Sequence, residues 1–379
     1  MRRPATLVDA GLDPRKVEQL LSHVRSDVEQ GLLPAAQVAL ARNGKLAVSQ
    51  SFGSATDESL ICLFSATKGV VYAAAWLLFQ DGRLAEDELV ADIIPEFGSQ
   101  AKDRVTVQQL FTHTSGFPQA PFTPLQWNSK EETLRRFSQW RLNWAPGTRY
   151  EYHPTSSMWV IAEIIERRGG LPYAEFIRKR VLDPLGMASI FVGLPEAENP
   201  RVLPVTHHGA PLTEQDYAKV GMRVPHEINE ESLLAFNRPD VRAIGVPGAG
   251  GFANAADLAL FYQALLRGGL NGVEVWNQDT LASARMIRTG ALVDAASGQL
   301  ANRGLGIVVC GDRGGQFRGF GKANSPLAFG HPGAGGQLAW ADPSTGISLA
   351  FLTPSHDRNF LKQMQRAAAI SHLAAQCTL

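Results

Sequence analysis

The stretch 62-CLFSATKGVVYAAAWLLF-79 sets a serine and a lysine three residues apart, Ser65 and Lys68, at the start of one of the most apolar runs in the chain. If a buried helix begins at Ser65, the two side chains share one face, because positions i and i+3 of a helix are neighbours. A serine there lies at the positive end of the helix, where free N–H groups favour negative charge developing on an attacking oxygen. A buried ammonium at Lys68 lowers the cost of deprotonating the serine or a nearby phenol, or itself acts as base once desolvated. The same pattern also reads as a helix cap followed by a lysine that snorkels to solvent. Ser-x-x-Lys by itself is a weak signal, and Ser99-Gln100-Ala101-Lys102 matches it too. That second match follows Phe97-Gly98 in a polar stretch and opens no apolar helix, so context favours Ser65.

Working outward, Asp13-Pro14 reads as a cap and first-turn proline, with Val17, Leu20, Leu21, Val24 and Val28 at helical spacing up to Gly31. The stretches 36–42 and 45–53 flank Asn43-Gly44, which predicts a two-residue β-hairpin turn. Near the other end, 304–310, 337–341 and 347–353 read as strands, followed by a helix from about Asn359 with Phe360, Met364, Ala367, Ile370, Leu373 and Ala374 on one side. Between them lie helical patterns at 70–81, 106–113, 131–140, 156–168, 173–182 and 256–267. The expected class is α/β of the α+β type. Residues 1–60 and 300–379 are expected to form an antiparallel α/β lobe and residues 61–299 a mainly helical lobe, with the active site between them. The proline-punctuated segment from about 190 to 245, which carries Pro195, Pro200, Pro204, Pro211 and Pro225, has no clear period and reads as an ordered excursion near a site or interface.

Composition narrows the partners. The 36 basic and 36 acidic residues among 379 cancel, without a long run of either sign, which argues against nucleic acid or a membrane surface and for small neutral ligands. The apolar run 70–79 is about half of a bilayer span, and the N-terminus lacks a secretory core, so a cytoplasmic protein is expected. Cys62, Cys310 and Cys377 are scattered and odd in number, as buried free thiols would be. No Gly-x-Ser-x-Gly elbow occurs. His207-His208 and His113 lack a ligand set, so no metal is expected, and no Gly-rich loop has a phosphate-binding context, so no cofactor is expected.

The segment around Ser65 resembles the serine β-lactamase and penicillin-binding-protein superfamily, and especially its family VIII carboxylesterases. Further stretches resemble that branch in the same order: 110-LFTHTSGF-117, 146-PGTRYEYHPTSSMWVIAEIIE-166, 183-DPLGM-187, 248-GAGGFANAADLALFYQALLRGG-269 and 330-GHPGAGGQLAWADPSTG-346. The resemblance covers most of residues 60 to 350. It implies a β-lactamase-like fold, Ser65 as nucleophile, Lys68 as its partner, and Tyr152, in the family's Tyr-x-Asn box, as general base. Tyr150 is the competing register; the two are expected on opposite sides of an extended segment, with only one facing Ser65. The third box falls on His331-Pro332-Gly333, which implies backbone N–H groups of Ser65 and Ala334 as the oxyanion hole, each donor typically worth ~3 kcal/mol in the transition state.

Two departures bear on the substrate. Pro154 stands where β-lactamases carry an Asn, and His331 replaces a Lys that attracts the penicillin carboxylate; both favour neutral esters. The expected function is therefore hydrolysis of small carboxylic esters through an acyl-enzyme. A β-lactamase, D-amino-acid peptidase or acyltransferase of the same superfamily is the alternative, and a non-catalytic binding protein the remote one. His331 and Gly333 are expected to contact substrate, with apolar walls from Phe117, Phe122, Trp127 and Phe236, although ordinary core packing also explains these aromatics. Oligomeric state is not legible.

Overall fold

A computed structural model describes residues 4–219 and 230–379. Helix α1 (Pro14–Glu29) opens as its sequence requires: Asp13 caps it by accepting from Arg15 N at 2.8 Å, and Pro14 fills the first turn. The hairpin follows as β1 (Ala35–Arg42) and β2 (Lys45–Gly53), with Asn43 and Gly44 at φ 54° and 75°, the positive pair that a two-residue turn needs. The chain then leaves for its helical part. There α2 (Thr67–Gln80) is buried nearly all round, as its uniformly apolar sequence demands, and α3 (Ser156–Gly169) packs against it. Helix α4 (Ala255–Arg267) brings the chain back to the sheet, which is completed by β3 (Val308–Val309), β4 (Phe329–Gly330), β5 (Leu338–Asp342) and β6 (Ile347–Leu352) before α5 (Phe360–Ala375).

The six strands run in the order β3-β4-β5-β6-β1-β2, every neighbouring pair antiparallel. Side chains alternate across the pleat, and the two faces differ in size. Val38, Leu40, Leu338, Trp340, Leu349 and Phe351 pack with α1 and α5, whereas Ala39, Ala41, Ala339, Ala341 and Ala350 belong to the core shared with α4. Alanines on that face let α4 approach closely. Register keeps the large residues together, Val38 opposite Phe351 and Leu40 opposite Leu349 across β1 and β6. Because both faces are covered, these strands read as apolar runs.

Several expectations change in detail. The strand expected over 304–310 shortens to β3 because 303–306 form a tight turn against α2. Gly306, at φ 88°, lies so close to Tyr72 that a Cβ there would stand 2.3 Å from its ring. The helix expected over 173–182 is α-helical to Ile177 and then widens into a π-turn, Arg178–Leu182. Strand β4 and a helix at Gln278–Arg285 have no counterpart in the sequence reading. The segment from 190 to 245 is ordered where described, with strands Ile190–Val192 and Thr206–His208 and helices Glu214–Lys219, Glu230–Leu234 and Pro239–Ile244; Pro225 lies outside the described residues. All three cysteines are buried and unbridged, and burial pushes the Cys62 thiol up to about 12. Among the described residues no helix is long and apolar enough to cross a membrane.

Candidate active site

The site is built on the turn into α2. Ile61–Cys62 pairs with Phe252–Ala253, and the chain then bends through Phe64 at φ 43°, a conformation that costs a non-glycine residue about 1–3 kcal/mol. Ser65 rides on the short 3-10 turn Phe64–Ala66, and α2 proper begins at Thr67, two residues later than the sequence suggests. The spacing still works, since Lys68 Nζ lies 3.2 Å from Ser65 Oγ. Lys68 is fully buried, and its ammonium also donates to the carbonyls of Pro154 and Gly248, each at 2.7 Å. Pro154, the residue in the Asn position, thus contributes through its main chain. Tyr152 Oη donates to Ser65 Oγ at 2.9 Å, so the hydroxyl lies between a phenol and an ammonium, with Nζ 5.0 Å from the tyrosine ring centre.

Tyr150 and Tyr152 correct one expectation. Residues two apart on an extended segment project to the same side, and both rings line the same cavity. Only Tyr152 reaches Ser65; Tyr150 Oη instead accepts from Arg303 Nε at 3.2 Å. The tyrosine segment is pinned from below by histidines. His153 Nε2 accepts from Phe117 N at 3.1 Å, and His113 Nδ1 accepts from His153 N at 3.3 Å while its ring lies 4.8 Å from that of Tyr152. Burial holds His113 well below its ordinary value and His153 at about 4, so both rings are neutral. His113 thus holds the loop that carries Tyr152.

The segment 330–337 closes the other side. Gly333 is needed for a reason the sequence did not give: a Cβ there would stand 2.5 Å from the Leu63 carbonyl, so the glycine lets this segment come against the nucleophile turn itself. Ala334 and Ser65 both line the cavity, and neither main-chain N–H donates to a backbone acceptor among the described residues. His331 is buried, and burial followed by the charges of Arg303 and Lys68 keeps it well below its ordinary value. A guanidinium only donates, so His331 Nε2 accepts from Arg303 Nη1 at 3.0 Å and Nδ1 donates to Pro332 O at 2.8 Å. Arg303 is the functional-looking residue that sequence reading missed. It precedes a Gly-Leu-Gly turn inside a supposed strand, and no spacing links it to Ser65.

Above Ser65 opens a cavity of about 510 Å³, walled by Phe64, Phe122, Trp159, Leu233, Phe236 and Met364 among others. His331 and Gly333 line it as expected, and Phe122 and Phe236 supply apolar wall. Phe117 and Trp127 do not. Phe117 is fully buried between Phe97 and Trp140, with ring centres 5.5 and 5.7 Å away, and Trp127 stacks behind the wall on Trp159 at 5.1 Å. Away from the site, His207 and His208 engage His356, Ser355 and Asp357, where strand Thr206–His208 runs parallel to Ser355–Asp357.

An antiparallel sheet with helices on both faces, and a serine flanked by lysine and tyrosine, define a serine hydrolase of the β-lactamase-like fold. The sequence profile of the Beta-lactamase family matches residues 20–374, and the chain belongs to that family. A protein of Escherichia coli strain K12, whose name proposes a D-alanyl-D-alanine carboxypeptidase, is 25% identical over 360 residues, covering 86% of this chain and 79% of that protein. Esterase EstB of Burkholderia gladioli is 28% identical over 263 residues, 62% of this chain and 66% of the esterase. Among solved structures, a penicillin-binding protein homolog from Caulobacter crescentus superposes with a TM-score of 0.77 at 26% identity, covering 96% of this chain and 98% of that one.

Proposed function

We propose that the chain is a carboxylesterase-type serine hydrolase, cleaving small carboxylic esters through an acyl-enzyme on Ser65. The observation that carries this is the placement of Ser65 Oγ, 2.9 Å from the Tyr152 phenol and 3.2 Å from the Lys68 ammonium, at the floor of a largely apolar cavity. Ser65 Oγ attacks the ester carbonyl. Tyr152, acting as the phenolate that the adjacent Lys68 ammonium favours, takes the Oγ proton and returns it to the departing alcohol. The N–H groups of Ser65 and Ala334 receive the oxyanion, and water then attacks the acyl-enzyme by the same route in reverse.

One residue turns the proposal towards esters: Pro154 offers no side-chain amide to a β-lactam. The similarity to an esterase supports the same direction. A second reading, a D-amino-acid peptidase or β-lactamase, draws on the similarity to a protein named for carboxypeptidase activity and to a penicillin-binding protein homolog. Comparing kcat/KM for p-nitrophenyl butyrate, nitrocefin and a D-alanyl-D-alanine peptide separates them. The ester reading expects the butyrate to be turned over at least tenfold better than either; preference for the peptide or the cephalosporin reverses it.

A further inference from the structure

One charge in the cavity has no part in the acylation scheme above. Arg303 is only 8% exposed, yet it lines the cavity wall. Its Nε and Nη1 go to neutral acceptors, Tyr150 Oη and His331 Nε2. Its Nη2 has no protein acceptor among the described residues and is not among the atoms sealed away from solvent. No described carboxylate pairs with the guanidinium, including Asp294 on the same wall. Guanidinium stays protonated at any working pH, and a buried cation without a counter-ion is expensive. The tyrosine rings, whose centres lie 5.9 Å (Tyr150) and 5.3 Å (Tyr152) from its Cζ, offset part of that cost. The position is rigid: Arg303 N donates to Thr289 Oγ1 at 3.1 Å, and Trp76 Nε1 of α2 holds the Leu305 carbonyl at 2.9 Å.

We infer that Arg303 binds a carboxylate of the substrate, so that the ester cleaved here carries an acid group on its alcohol half. The inference rests on the ester reading above. Tyr152 stands between Ser65 and Arg303 and returns the proton to the leaving oxygen, so the alcohol half lies on the Arg303 side while the apolar wall takes the acyl chain. One guanidinium with one nitrogen uncommitted among the described residues suits a monoanion. The expectation of a neutral substrate drew on balanced charge, on Pro154 and on His331 standing in place of a lysine; the turn before β3 brings a cation beside His331 from another part of the chain.

The test measures kcat/KM for phenyl butyrate and for the butyrate esters of 3- and 4-hydroxybenzoate on wild type, Arg303→Gln and Arg303→Lys. Wild type is expected to favour a carboxylated ester about tenfold or more, the order of one charge-assisted hydrogen bond. Arg303→Gln brings the ratio to about one, chiefly through KM, and Arg303→Lys restores part of it. The ratio is internal to each variant, so a general loss of activity cancels. A wild-type ratio at or below one, or a ratio that Arg303→Gln leaves unchanged, overturns the inference. Calorimetric titration of Ser65→Ala with 3-hydroxybenzoate needs no turnover and so separates failure of the Arg303 assignment from failure of the ester reading. Binding at least tenfold weaker in Ser65→Ala/Arg303→Gln is expected, and equal binding overturns it.

Discussion

The chain contains the same four-residue pattern twice, and the two copies have different fates. Lys68 and Lys102 are both fully buried, and each ammonium is held by two main-chain carbonyls, Pro154 and Gly248 for Lys68, Ser99 and Trp140 for Lys102. The backbone distinguishes them. After Ser65 the chain continues through a 3-10 turn into α2, which sets the serine hydroxyl against the lysine. Ser99 is extended, and Gln100 and Ala101 follow at φ 61° and 64°, a reversed turn in which Lys102 meets the carbonyl of Ser99 rather than its hydroxyl. Its ammonium faces the ring of Phe97, 5.4 Å away, where Lys68 faces Tyr152. The Ser-x-x-Lys pattern sets hydroxyl against ammonium where the chain runs from the serine through a 3-10 turn into the helix, and there a phenol closes from a distant loop.

The largest test of this contrast is to remove each serine. Ser65→Ala is expected to lower ester turnover by ~10⁴-fold or more, the scale on which loss of a nucleophile is felt, while Ser99→Ala stays within about twofold of wild type. Next come the tyrosines. Tyr152→Phe should lose about 10²- to 10⁴-fold in kcat, the usual range for a general acid–base group, and Tyr150→Phe far less, because only Tyr152 touches Ser65 Oγ. Equal losses would mean that the two phenols share the role. For the lysines the readout divides: Lys102→Met leaves two buried carbonyls without their donor and should cost about 2 kcal/mol in denaturant unfolding with kcat little changed, whereas Lys68→Met should abolish turnover.

The smallest effect concerns pH. His113, His153 and His331 surround the Ser65 site as buried neutral rings, with His153 at about 4 and the other two held well below their ordinary value by burial. Unfolded, each titrates near ~6.5, so between there and the folded value the unfolded state binds more protons. Their contribution to stability is therefore present above about pH 6.5 and is lost as pH falls towards 4. Urea midpoints at pH 7, 6 and 5 should decline in that order, with a shallower decline in His153→Gln; an unchanged slope would remove His153 from the account.

Much of this was legible in the sequence, for local reasons. Asn43-Gly44, Asp13-Pro14 and the unbroken apolar run after Lys68 each specify their own structure, and they fix the hairpin, α1 and α2. Ser65, Lys68 and Tyr152 were legible through their motifs, and the geometry brings the three together. What could not be read depends on distant packing. Phe117 and Phe236 look alike in sequence, yet one is sealed between Phe97 and Trp140 and the other lines the cavity. Arg303 is placed by Gly306 against Tyr72 and by Trp76 holding Leu305, contacts more than two hundred residues apart in the chain. Strand β4 has only two residues, too few to show a period.

The most direct measurement is intact-protein mass spectrometry after rapid mixing with p-nitrophenyl butyrate and acid quench, on wild type, Ser65→Ala and Ser99→Ala. The account predicts a butyryl adduct on wild type and Ser99→Ala and none on Ser65→Ala, with the label mapping to the peptide that contains Ser65. An adduct on Ser65→Ala equal to that of wild type, or turnover by wild type that Ser65→Ala retains in full, would contradict it.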